Sequence, residues 1–129
     1  MSQAPDDQST TLQELKGRVA AFVAERDWQQ FHTPKNLSMS IAIEAAELME
    51  HFQWLSVEDS RNLGPQALAE IGEELADIVI YSLSLANTLG LDLSQTVQAK
   101  MDKNIRKYPA DRVKGKAHKY TWYEGKDEG

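Results

Sequence analysis

Two segments thirty residues apart restrict what this chain can become: IAIEAAELMEHFQW (41–54) and IGEELADIVIYSLSL (71–85). Both show helical spacing, and both carry acidic residues where a helix should bury apolar ones. On a wheel of about 100° per residue, Ile41, Ala45, Leu48, Phe52 and Leu55 share one stripe. Glu44, Glu47 and His51 follow one flank of it. Shifted by thirty positions, Ile71, Leu75, Ile78, Ser82 and Leu85 take the stripe, and Glu74, Asp77 and Tyr81 take the flank. A carboxylate beside a buried stripe is costly unless a cation or donor meets it. If the two helices pack flank to flank, four carboxylates converge, and converging anions require cations. Oxygen ligands in a chain without cysteine suit a hard ion, Mg²⁺ first and Mn²⁺ second.

The expected metal set is therefore Glu44, Glu47, Glu74 and Asp77. A single Glu-x-x-Glu would carry little weight, because solvated acidic pairs are common on helices. The coincidence of two pairs on equivalent flanks is the stronger sign. Glu50 and Glu73 lie further from the stripe and read as surface residues, whereas Glu70 shares the flank of Glu74 one turn earlier. A di-iron bundle would need Glu-x-x-His on two helices. His51 follows Glu47 by four residues, and the second segment has no histidine, so that chemistry is disfavoured.

The remaining chain also reads as helical. Leu12, Leu15, Val19, Phe22 and Val23 recur at helical spacing and predict a first helix over 11–26. RDWQQFHTPKNL is expected to be irregular, since Pro34 disfavours helical geometry at Thr33. The second helix is expected from Asn36 or Ser38 to Leu55, and the third from Gln66 to Leu89, stopped by Gly90. The fourth should cover Leu93 to Lys107, ahead of Pro109. No window alternates with period two. The expected fold is all-α, a four-helix bundle-like subunit assembled as an oligomer, because IVIYSLSL is apolar almost all round. A central position in the bundle would explain that run equally well. Residues 1–10 are expected to be a disordered terminus, 11–109 the helical domain and 110–129 a basic tail.

A net charge of −6 disfavours broad nucleic-acid binding. Eight of the fourteen Lys and Arg nevertheless fall within 100–119, either as a solvated tail or as a surface for a polyanion. No run is apolar enough to span a membrane. MSQAPDDQSTT has neither the basic region nor the apolar core of a secretion signal, so a cytoplasmic protein is expected. There is no P-loop to hold phosphates through backbone amides.

Several segments in order resemble the MazG-like all-α nucleoside triphosphate pyrophosphohydrolases, in particular their dCTP pyrophosphatase branch. They are ERDWQQFHTPKNL (25–37), AELMEHFQW (46–54), EELADIVIY (73–81), KMDKNIRKYP (100–109) and KYT (119–121), so the similarity covers about residues 12–121. Two positions depart from the family pattern. His51 stands where an apolar residue is expected, and Val19 stands nine residues before Trp28, where the branch can carry a histidine.

The resemblance implies a helical dimer or tetramer with active sites near subunit contacts. It implies Mg²⁺ on Glu44, Glu47, Glu74 and Asp77, and cleavage between the α and β phosphates to give a monophosphate and pyrophosphate. Glu47 is the expected catalytic carboxylate, orienting the attacking water. Lys103 and Arg106 would neutralise the leaving pyrophosphate, with Asn104 donating a hydrogen bond. The base would lie among Trp28, Phe31, His32, Trp54 and Tyr81, of which Trp28 and Trp54 match family aromatics; core packing is the rival role for each. The substrate expected is dCTP or a modified pyrimidine nucleotide, with dUTP or a broad nucleotide set as the alternative. A helical metal-binding interaction module without turnover is the alternative outside enzymology.

Overall fold

A computed structural model of the chain describes residues 4–117 and 121. Among these it is helical, with no strand. The elements are α1 (Leu12–Glu25), α2 (Pro34–Glu50), α3 (Val57–Ser60), α4 (Pro65–Leu89), α5 (Leu93–Lys107) and α6 (Ala110–Val113). The chain divides into two compact units, residues 1–91 and 92–129.

Helices α1, α2, α3 and α5 start where a side chain replaces the missing backbone acceptor, whereas α4 and α6 start at Gly64 and Pro109 without one. Thr11 and Glu14 form a reciprocal capping box at α1, with Glu14 N–H donating to Thr11 Oγ1 at 3.1 Å. The start of α2 differs from the sequence expectation. Thr33 is the cap and Pro34 the first helical residue, ahead of Asn36 and Ser38. Proline's fixed φ suits the first turn, where its absent N–H costs nothing, and it holds Thr33 extended at ψ 157°. α2 also ends sooner, at Glu50; residues 51–54 form a turn. The expected loop before α4 contains the one-turn α3, capped by Ser56. Gly90 stops α4 at φ +67°, a left-handed conformation in which any Cβ would be strained. α5 has the expected bounds, and Asp92 caps it through Gln95 N–H at 2.9 Å.

In the first unit, α4 packs most extensively on α2 and next on α1. Lys16 Nζ donates to the Leu91 carbonyl at 2.7 Å, and Asn87 Nδ2 donates to the Lys16 carbonyl at 3.0 Å. Those bonds pin the start of α1 to the end of α4. The two helices therefore run antiparallel. Among the described residues, Val23, Leu37, Leu83 and Ala86 are the buried apolar ones. Leu75, Val79 and Ile80 of α4 remain 52%, 42% and 44% exposed, lining a cavity of about 700 Å³ with Leu15, Val19 and Phe22 of α1. In the second unit, the exposed residues Val97, Met101 and Ile105 recur every fourth position along α5.

Candidate metal centre and nucleoside-side cluster

The packing of α2 on α4 brings the two acidic flanks together. Glu44, Glu74 and Asp77 each offer a carboxylate oxygen, and these oxygens lie within 4.8 Å of one another. Glu44 Oε2 and Glu74 Oε2 are buried and have no hydrogen-bond partner. A buried carboxylate oxygen without a donor is a substantial cost unless a ligand meets it. The oxygen-only donor set fits a hard divalent ion, so the residues present suit the metal expected from the sequence.

Glu47 does not belong to the group of three oxygens, yet it acts on it. Burial, a hydrogen bond with Glu47 and the negative charges of Glu47, Asp77 and Glu74 push the Glu44 carboxyl up to about 7. Glu44 and Glu47 are both half-buried on successive turns of α2. The first acidic pair is thus split: one member lies among the α4 carboxylates, and the other repels it from beside them. His51, at the end of α2, places Nε2 3.8 Å from Glu74 Oε1 across the helix interface.

Further along α4 from the acids, three aromatic rings gather. Trp28 stacks on His32 with centroids 6.3 Å apart and planes 19° apart. His32 lies 6.4 Å from the Tyr81 ring. Tyr81 is four residues, one turn, beyond Asp77 on α4, which links this cluster to the acidic one. Trp28 is aimed by a tight turn after α1: Asp27 adopts φ +53°, and Trp28 N–H reaches back to the Val23 carbonyl at 3.0 Å. His32 is anchored by Ser84 of α4, whose Oγ is 3.2 Å from Nδ1. Thr88 Oγ1 donates to the Ser84 carbonyl at 2.9 Å and buttresses the same turn.

Of the predicted aromatics, Trp28, His32 and Tyr81 therefore come together. Trp54 does not join their ring contacts; it stands 88% exposed on the turn after α2. Phe31 is also exposed. Lys103, Asn104 and Arg106 lie on α5 in the second unit, Asn104 half-buried and the two cations exposed. Ser84 was missed by the sequence reading. Its signal was present, a serine within an apolar helical run, since a buried hydroxyl there requires a partner. Ser82 satisfies itself on the Ile78 carbonyl at 2.7 Å, and only Ser84 reaches another element.

A long helix pair with an acidic group between its members and an aromatic cluster one turn away defines an all-α protein with a candidate metal site. The MazG-like family model matches residues 39–122, and the chain belongs to that family, in its dCTP pyrophosphatase branch. It is 46% identical over 116 residues to dCTP pyrophosphatase 1 of Bos taurus, covering 86% of this chain and 67% of that protein. The Homo sapiens protein of the same name is 42% identical over 113 residues, covering 86% and 66%. The chain thus spans about two thirds of the length of these relatives. A pyrophosphatase from Archaeoglobus fulgidus superposes with a TM-score of 0.71 at 37% identity, covering 84% of this chain and 98% of that one.

Proposed function

We propose that this chain hydrolyses dCTP or a modified pyrimidine deoxynucleotide to the monophosphate and pyrophosphate, using Mg²⁺ held by Glu44, Glu47, Glu74 and Asp77, with Mn²⁺ able to replace it. The reaction class rests on the family and its named relatives: the chain is a nucleoside triphosphate pyrophosphohydrolase. The carrying observation for the metal is the pair of buried, unpartnered oxygens, Glu44 Oε2 and Glu74 Oε2, within the acidic group.

When bound, the ion supplies positive charge for the triphosphate and lowers the pKa of a coordinated water. The chain's own residues do the rest. Glu44, Glu74 and Asp77 set the position of the reacting end, because their oxygens already converge. Glu47, beside them on α2 and hydrogen-bonded to Glu44, is in addition assigned to orienting the attacking water and taking its proton. Trp28 and Tyr81, flanking His32, offer flat apolar surface for a base, with His32 held in place by Ser84. Trp54, exposed on its own chain, is the kind of aromatic that a nucleotide or a second copy covers. Lys103 and Arg106 are assigned to the leaving pyrophosphate, and Asn104 to a phosphate oxygen, on their chemistry.

We also assign the chain to a homo-oligomer of four-helix-bundle-like subunits, a dimer or a tetramer, working in the cytoplasm. The apolar flank of α4 left open beside α1 supports that assembly, as does the exposed stripe on α5. No helix among the described residues is long and apolar enough to cross a membrane.

The test is release of pyrophosphate and monophosphate from a panel of dNTPs and NTPs with Mg²⁺, for wild type and Glu44→Gln. Release by wild type that ranks dCTP and modified pyrimidines first, and vanishes in the variant, is expected. Equal rates on every base would replace the pyrimidine assignment by a broad substrate range. No release from any nucleotide would overturn the proposal in favour of a metal-binding interaction module.

A further inference from the structure

The acidic group has a neighbour across the helix interface. His51 ends α2, one turn beyond Glu47 on the same flank, and faces α4 rather than solvent. Its side chain is 27% exposed, and that of Glu74 is 23% exposed. Other ion pairs in the first unit, Arg26 with Glu25 and Arg61 with Glu58, join residues close in sequence on open surface. His51 instead reaches across the interface between two long helices to one of the converging carboxylates.

The two oxygens of Glu74 have different surroundings. Oε1 faces His51 Nε2 at 3.8 Å, while Oε2 is buried with no partner. A carboxylate on a flexible glutamate can turn about its last torsion, so an oxygen offered to an ion must be held by something at the other oxygen. We infer that His51 is a positioning residue for the metal centre: Nε2–H donates to Glu74 Oε1 and fixes the carboxylate with Oε2 directed at the ion. His51 is not itself among the residues whose ligand atoms lie within 4.8 Å of one another, which separates this role from ligation. At 3.8 Å the two atoms are within ion-pair reach but further apart than a hydrogen bond, and donation in the loaded site is what the His51 variants test. Partners of this kind to ligating side chains typically change metal affinity by about 10–100-fold.

The inference rests on the metal reading of the acidic group, and the experiment separates the two. Free Mn²⁺ is counted by electron paramagnetic resonance during titration of the full chain, without nucleotide, above the Glu44 pKa of about 7. Wild type, His51→Leu and His51→Gln are compared, with the melting temperature of each metal-free protein measured in parallel. Weaker Mn²⁺ binding by His51→Leu, about 10–100-fold, with His51→Gln close to wild type and unchanged melting temperatures, is expected. Should His51→Leu fail to fold, His51→Asn, whose amide falls short of Glu74, reads the same loss. Equal affinity of wild type and the Leu or Asn variant overturns the positioning role and leaves the metal reading standing. A Gln variant as weak as the Leu variant overturns it too, because donation would then not be what matters. Failure of wild type to bind Mn²⁺ overturns both readings together.

Discussion

Helix α4 presents two flanks that were built by opposite means. Toward α2 it offers Glu74 and Asp77, and their counterpart Glu44 lies within reach. Toward α1 it offers Leu75, Ala76, Val79 and Ile80, which line an apolar cavity and stay largely open. The first flank gathers carboxylates whose mutual repulsion a cation would relieve. The second is charge-neutral and incomplete in residues, since nothing described on the chain covers it. Each deficit names what would fill it: an ion for the acidic flank, and apolar surface for the other. On the proposed reading, function and assembly fall on the two sides of one helix.

The acidic flank should show the largest effects. Replacing Glu44 or Asp77 by its amide should lower pyrophosphate release on the order of a thousandfold. Glu44→Gln should at the same time raise the melting temperature of the metal-free protein above pH 7, because a like charge leaves a crowded site. A fall in both quantities would mean that the carboxylates hold the fold rather than the ion.

The open flank should respond differently. Leu75→Glu is expected to disperse the proposed oligomer, read by sedimentation velocity, while leaving the helical content of the metal-free chain intact. An unchanged sedimentation coefficient would remove α4 from the interface.

A subtler effect follows from Glu44. Its folded pKa of about 7 exceeds the ordinary value of 4.5, so the native metal-free state holds an extra proton between these limits. Stability from this group is therefore fully present below pH 4.5 and is lost as pH rises through about 7. Metal binding must expel the proton, so affinity should fall about tenfold per pH unit below pH 7 and level off above it. Calorimetric titration with Mg²⁺ across that range checks the slope, and a flat profile would place Glu44 outside the metal set.

The smallest change concerns the aromatic cluster. Ser84→Ala leaves His32 Nδ1 without its partner, at a cost of about 1 kcal/mol in a denaturant titration. If His32 supports the base side as proposed, KM for the nucleotide should rise more than kcat falls. A loss confined to kcat would move His32 to the chemistry.

Much of this could be read from the residues in order. Helical periodicity located every long helix, because a face that must be buried leaves a repeating trace. The thirty-residue shift between Glu44, Glu47 and Glu74, Asp77 marked the acidic flanks for the same reason. Local choices were less legible. Asn36 or Ser38 was the expected cap of α2, and Thr33 takes that place because Pro34 fits the first turn. The turn from 51 to 54 and the short α3 depend on only a few backbone bonds, too few to leave a periodic signal.

The sequence by itself thus determined an all-helical chain with two acidic flanks, since both follow from residue spacing along a single helix. Only the tertiary structure decided which side chains those flanks share. It set Glu47 apart from the three converging carboxylates, brought His51 to Glu74 and Ser84 to His32, and left Trp54 out of the ring cluster. The reason is geometric: spacing fixes the angle of a side chain about its own axis, whereas contact between helices depends on their offset and crossing, which no single helix encodes.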